Sequence, residues 1–219
     1  RLIGAEALAR WNHPVLGRIG AGGLFAIAER TDHVAPLSRH IARIALRAAG
    51  SWQSDLRLSL NITPNDLAAG DFAASFAALL EDSAFPGERL TLEVTEQVLL
   101  ADVSSAAKAF AALGQCGIRF ALDDFGAGFC NFRYLKLLPL SYLKLDRSMI
   151  EGVLGDPRDL AVLRAIIAMA GALGLEVVAE GIEHEAQRLL AQREGCYAYQ
   201  GFLRSAPLSA QDFVRASQA

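Results

Sequence analysis

The feature that most constrains this chain is an alternation of short apolar segments with longer Ala/Leu-rich ones. Seven segments read as buried strands: Leu2–Trp11, Leu56–Thr63, Leu90–Glu96, Arg119–Gly126, Tyr142–Asp146, Glu176–Ile182 and Ala198–Leu203. Most are bounded by Gly, Pro or Asp, and most precede a segment with helical spacing. Pro36–Ala49 places Leu37, Ile41, Ile44, Ala45 and Ala48 on one face, and Ser104–Leu113 and Leu160–Leu173 read the same way. Asp71 is expected to cap a helix over Asp71–Leu80, and Ser209 a last short helix. Strands alternating with helices, without a long hairpin signal, predict an α/β chain with a mostly parallel sheet. No charge block, linker or low-complexity stretch divides residues 1–219, so a single domain is expected.

An open doubly wound sheet and a closed barrel both satisfy this alternation. A dinucleotide-binding open sheet needs G-x-G-x-x-G after its first strand; Gly20, Gly22 and Gly23 have the wrong spacing. A (β/α)₈ barrel instead sets its functional groups at the C-terminal ends of many strands. Composition closes off other classes. With 53% hydrophobic and 21% charged residues the chain is not intrinsically disordered. The longest apolar stretch, Ala165–Leu175, falls short of the ~20 residues of a membrane span. A net charge of −3 gives no general attraction for a DNA or RNA polymer. Cys116, Cys130 and Cys196 form neither a disulfide framework nor a metal knuckle, and fit a reducing compartment.

The polar residues fall where a barrel needs them. Successive side chains of a strand point to opposite faces. In Leu90–Glu96 the set Leu90, Leu92, Val94 opposes Thr91, Glu93, Thr95; in Leu56–Asn61 the leucines oppose Arg57, Ser59 and Asn61. Glu6, Asp123, Asp124, Lys144, Glu180, Glu183 and Gln200 stand in or just after the other strands. Taken singly, Lys144 reads as a snorkelling surface lysine and an acidic residue as a solvated sheet end. As a set of inward carboxylates they are costly, because each buried ion costs several kcal/mol unless compensated. Lys144 and Arg10 supply too little positive charge for Glu6, Glu93, Asp123, Asp124 and Glu180. Bound divalent cations resolve the imbalance. Oxygen ligands without metal-like His spacing favour Mg²⁺ or Mn²⁺. Adjacent Asp123 and Asp124 could serve two ions, a pair that about 3.5–4 Å apart stabilises both attacking and leaving oxygens of a phosphoryl displacement. The residues alone thus point to metal-assisted phosphate-ester hydrolysis, without naming the ester.

These residues resemble the EAL family, phosphodiesterases that linearise cyclic di-GMP. The motifs are Glu6-Ala7-Leu8 extended to Arg10-Trp11 and His13-Pro14, Leu60-Asn61, Glu93-Val-Thr-Glu96, Asp123-Asp-Phe-Gly126, Lys144-Leu-Asp146, Ala179-Glu-Gly-Ile-Glu183 and Gln200-Gly201. They run in order over essentially the whole chain. The resemblance implies a modified (β/α)₈ TIM-type barrel with two metal ions and the product linear pGpG. It implies that Glu6, Asn61, Glu93 and Asp123 hold one ion, and that Asp123 and Asp124 share the second, with Glu180 near it or acting on the attacking water. Lys144 would orient or help deprotonate that water, and Gln200 would bond within the same network. Glu96 would anchor the loop after Asp124. Arg10 would contact a substrate phosphate, with Leu8, Asp124 and Glu183 as further substrate contacts. Ca²⁺ is expected to inhibit, because its looser coordination misplaces the nucleophile.

Two departures from the family pattern stand out. An upstream Gln-Pro-Ile-type strand is missing, so seven of eight barrel strands are expected here. The loop usually close to Thr-Gly-Tyr-Ser-Ser reads Ala127-Gly128-Phe129-Cys130-Asn131. The alternative reading is a catalytically silent cyclic di-GMP receptor, although no matched ligand is lost. The resemblance further implies a homodimer, fusion to sensory or GGDEF domains outside this fragment, and a cytoplasmic domain whose parent protein could be membrane-tethered.

Overall fold

A computed structural model describes residues 1–52, 55–96, 99, 103–128 and 132–218. In chain order the first half holds β1 (Gly4–Glu6), β2 (Arg10–His13), β3 (Gly17–Gly20), α1 (Ala21–Arg30), α2 (Val34–Ala49), β4 (Arg57–Asn61), α3 (Pro64–Ala68), α4 (Phe72–Ser83) and β5 (Leu90–Thr95). Then follow α5 (Val103–Gly114), β6 (Arg119–Phe125), α6 (Arg133–Leu137), β7 (Tyr142–Leu145), α7 (Ser148–Glu151), α8 (Pro157–Ala172), β8 (Glu176–Ala179), α9 (Glu185–Glu194), β9 (Ala198–Tyr199) and α10 (Ala210–Ser217). The hydrogen-bonded strand order is β1-β4-β5-β6-β7-β8-β9, with β2 and β3 forming a separate two-stranded sheet. All seven expected barrel strands are therefore present, and sequential neighbours pair as βα repeats require. No helix among the described residues is long and apolar enough to cross a membrane.

The chain divides into two compact units. The first comprises Arg1–Leu92, Ser104–Arg119 and Ser209–Ala219. In it β1 pairs with β4 in parallel, Glu6 opposite Ser59. Leu56, just before β4, and the β4 leucines Leu58 and Leu60 are buried between less buried Arg57, Ser59 and Asn61, as the period-2 reading of this strand requires; in β5 Leu90 and Leu92 are buried, and so are Thr91 and Glu93. Two expectations fail. The segment Leu2–Trp11 is not one strand: it breaks after Glu6, and Arg10–His13 folds back antiparallel on Gly17–Gly20, Trp11 opposite Ile19. The turn is built by His13, whose Nδ1 accepts from the N–H groups of Val15 at 3.1 Å and Leu16 at 3.0 Å, and by Gly17 at φ +72°. Asp71 occupies the N-cap of α4 but makes no capping hydrogen bond. A full box forms one helix earlier, where the Asp66 N–H donates to Thr63 Oγ1 and the Thr63 N–H donates to Asp66 Oδ2. Ser209 caps α10 as expected, accepting from the Asp212 N–H at 3.2 Å.

The second unit comprises Glu93–Val103 and Phe120–Leu208. Here β6, β7, β8 and β9 pair in parallel, with Leu143 opposite Val177 and Val178 opposite Ala198. Leu122, Leu143, Leu145 and Ala179 are fully buried. Each such leucine contributes about 1.5–3 kcal/mol of apolar burial, which fixes the register and hence the facing of its polar neighbours. One irregularity interrupts the ladder: the β6–β7 register shifts between Leu122 and Phe125, across Asp123 and Asp124.

Candidate functional site

In the second unit, strand parity delivers four charged side chains to one place. Lys144 lies between the buried Leu143 and Leu145 and is itself only 3% exposed, so the snorkelling reading does not hold. Its Nζ lies 2.6 Å from Glu93 Oε2, 3.0 Å from Asp123 Oδ1 and 2.8 Å from Glu180 Oε1. Glu93 and Asp123 are buried with it. Asp123, Asp124 and Glu180 each offer a carboxylate oxygen within 4.8 Å of the others. Three carboxylates, those of Glu93 and Asp123 buried, thus meet one ammonium, and the exposed Asp124 stands beside them. That excess of negative charge is expensive where burial lowers the dielectric. A divalent cation with oxygen ligands fits it, and the all-carboxylate donor set matches a hard ion such as Mg²⁺ or Mn²⁺.

The backbone is bent to make this arrangement. Asp124 adopts φ +55°, a left-handed conformation that costs a non-glycine residue about 1–2 kcal/mol. Its N–H donates to Asp123 Oδ1 at 3.0 Å. Gly126 follows at φ +101°, where a Cβ would fall 2.5 Å from Met149 Cγ. The register shift and the left-handed turn let adjacent aspartates serve one cluster, although a regular strand would send them to opposite faces.

In the first unit Asn61 Nδ2 donates to Glu6 Oε1 at 2.6 Å, so the β1–β4 pairing joins these two. Leu8 and Asn61 line a cavity of about 240 Å³ with Phe25, Ser38, Arg39 and Phe72. Arg10 is exposed on the hairpin and its Nη1 donates to the Ala9 carbonyl at 2.8 Å. In the second unit Glu183 pairs with Arg147 at 2.8 Å. Gln200 is anchored through its backbone, its N–H donating to the Ala179 carbonyl and its carbonyl accepting from the Ile182 N–H. Glu96 is half-buried. The loop it is expected to anchor includes Phe129, Cys130 and Asn131, which lie outside the described residues.

Two residues that hold the site escape the strand-parity reading. Gln187, buried, accepts with Oε1 from the N–H groups of Glu183 and His184, each at 3.0 Å. Its capping-box spacing from His184 is a legible signal, obscured because His is not a usual N-cap. Arg147 carries no signal beyond following Asp146.

A family model for the EAL domain matches residues 1–207. The chain belongs to the EAL domain family. This EAL domain is 36% identical over 211 residues to the cyclic di-GMP phosphodiesterase PA2567 of Pseudomonas aeruginosa, covering 95% of this chain and 36% of that protein. It is 35% identical to the bifunctional diguanylate cyclase/cyclic di-GMP phosphodiesterase MucR of the same organism, covering 97% of this chain and 32% of that one. The chain spans about a third of the length of the curated relatives it matches. Among solved structures it superposes on the EAL enzyme Bd1971 bound to cAMP and cyclic di-GMP with a TM-score of 0.91 at 32% identity, covering 98% of this chain and 60% of that one. The PaMucR phosphodiesterase in complex with cyclic di-GMP gives 0.88 at 33% identity, covering 97% and 88%. The fold is the (β/α)₈-type barrel of EAL enzymes.

Proposed function

We propose that this EAL domain is a cyclic di-GMP phosphodiesterase that hydrolyses one phosphodiester bond to give linear pGpG, using two Mg²⁺ or Mn²⁺ ions. The observation that carries this reading is the cluster of buried Glu93 and Asp123 and part-buried Glu180 around Lys144, with Asp124 beside it. The names of the relatives and the bound ligand of the PaMucR complex support the substrate. Glu6, Asn61, Glu93 and Asp123 would hold one ion, and Asp123, Asp124 and Glu180 the other. When bound, the cations draw charge from the phosphate oxygens and lower the pKa of water towards neutrality.

The chain's own groups would do the rest. Lys144 Nζ, held by three carboxylates, orients the attacking water and handles its proton. Glu180 accepts a hydrogen bond from the same water, and Gln200 joins that network. Arg10 meets a non-reacting phosphate. Leu8, at the rim of the cavity in the first unit, gives a base an apolar wall, and Glu183 accepts from base N–H groups. Glu96 steadies the loop after Asp124. Pairing into a homodimer and fusion to a cyclase or sensory domain belong to the same reading. The test is to incubate the chain with cyclic di-GMP in Mg²⁺, Mn²⁺, Ca²⁺ or EDTA and separate the products by chromatography. Linear pGpG in Mg²⁺ and Mn²⁺, little in Ca²⁺ and none in EDTA is expected. Equal turnover in EDTA refutes the metal-dependent mechanism, and tight binding with no product in any metal favours the silent receptor.

A further inference from the structure

Glu180–His184, the segment between β8 and α9, carries two residues of the proposed site, Glu180 and Glu183. Its backbone is fixed at several points. Ile182 is fully buried; its N–H donates to the Gln200 carbonyl and its carbonyl accepts from the Leu203 N–H, both at 3.0 Å. Gln187 holds the amides of Glu183 and His184. Gly181 sits at φ +66°, and a Cβ there would fall 2.6 Å from Arg147 Cβ and 2.5 Å from Arg147 Cγ. The Arg147 stem therefore lies against the backbone beside Glu180. Its guanidinium reaches on to the Glu183 side chain, Nη1 2.8 Å from Oε1, while Nε donates to Glu151 Oε1 at 2.6 Å.

The geometry points to Arg147 as a positioning residue for substrate binding: it clamps Glu183 by one carboxylate oxygen, leaving the other to accept from the guanine N–H donors of cyclic di-GMP. This rests on the proposed function for its ligand. Arg147 is about half exposed, and an exposed ion pair adds little to folding. Its removal should thus leave the fold intact while freeing Glu183 to sample other rotamers. Such a loss of preorganisation weakens binding and leaves the chemical step at Lys144 and Glu180 largely alone.

The experiment is a double-mutant cycle on the full chain, using Arg147→Ala, Glu183→Gln and both together, with Arg147→Lys and Glu151→Gln alongside. Cyclic di-GMP KM and kcat are measured in Mg²⁺, and Kd by calorimetry in Ca²⁺. Arg147→Ala is expected to raise KM and Kd roughly tenfold, about the effect of one well-placed interaction, with kcat within about twofold and the melting temperature unchanged. Arg147→Lys should recover part of the affinity, and Glu151→Gln should resemble wild type. The double variant should be no weaker than Glu183→Gln alone, because contacting residues acting as a unit are not additive. Unchanged KM and Kd in Arg147→Ala, or fully additive losses in the double variant, overturn the inference. A wild-type chain that binds without turnover contradicts the phosphodiesterase reading instead, and the Kd arm still decides Arg147. Amide hydrogen exchange across 181–184, without ligand, should accelerate in Arg147→Ala; unchanged exchange also counts against the clamp.

Discussion

At the scale of single residues, Lys144 is the positive charge that the chain itself contributes to the cluster. Its ammonium sits within 3.0 Å of three carboxylates, so it is their internal counter-ion. Removing one partner of a buried ion group strands the others, at a cost of about 3–5 kcal/mol. Lys144→Met should therefore lower the melting temperature markedly in EDTA and much less in Mg²⁺, because cations bound by the carboxylates stabilise the folded state. Thermal melts in both buffers check this; equal losses in both would mean that cations do not occupy the cluster. Glu180, one of these three carboxylates, is also the one that the proposed function assigns to the attacking water. Glu180→Gln should nearly abolish turnover while cyclic di-GMP binding stays detectable by calorimetry, and a wild-type rate removes it from the mechanism.

At the scale of elements, the leucine alternation of β4 to β7 made Asn61, Glu93, Asp123 and Lys144 legible, because burying one face of a strand fixes the other. The role of Asp124 was legible only through its neighbour. Parity alone turns it away from Asp123, and the register shift and left-handed φ that bring the two together depend on packing across β6 and β7. The hairpin Arg10–Gly20 was hidden because its short strands are polar and exposed, without a one-sided apolar pattern. Asp71 shows the same limit at a helix start, since a cap-type residue can occupy the position without making the bond. Contacts between helices are hardest to read. Arg164 in α8 donates through Nε and Nη2 to both oxygens of Glu194 at the end of α9. Together with Arg193 it holds the Glu194 carboxyl down at about 2 from an ordinary 4.5. A depressed carboxyl pKa stabilises the fold above the unfolded value and loses that contribution as pH falls through the folded one. Glu194→Gln should thus lower stability at neutral pH and flatten its decline between about pH 4.5 and 2. Denaturant titrations across that range test it; parallel pH profiles for both proteins would show that the pair carries no linkage.

At the scale of the whole molecule, the β–α alternation gave the fold class and the ordered motifs gave the family, which the match over residues 1–207 shows. Arg147 was not legible, because a long-range contact to a loop leaves no period in the sequence, and the local signal of the Gln187 cap was obscured by a His at the N-cap. The proposed function requires that the carboxylates around Lys144 hold the cations needed to hydrolyse cyclic di-GMP. Asp123 is the most direct test, as the residue assigned to both ions and one of the three in contact with Lys144. The measurement is the rate of pGpG formation from cyclic di-GMP in Mg²⁺ by wild type and by Asp123→Asn. Wild type should give steady product and the variant at least a ~100-fold lower rate, the scale seen when a group stabilising transition-state charge is removed. Undiminished turnover in Asp123→Asn, or no product from wild type, would contradict it.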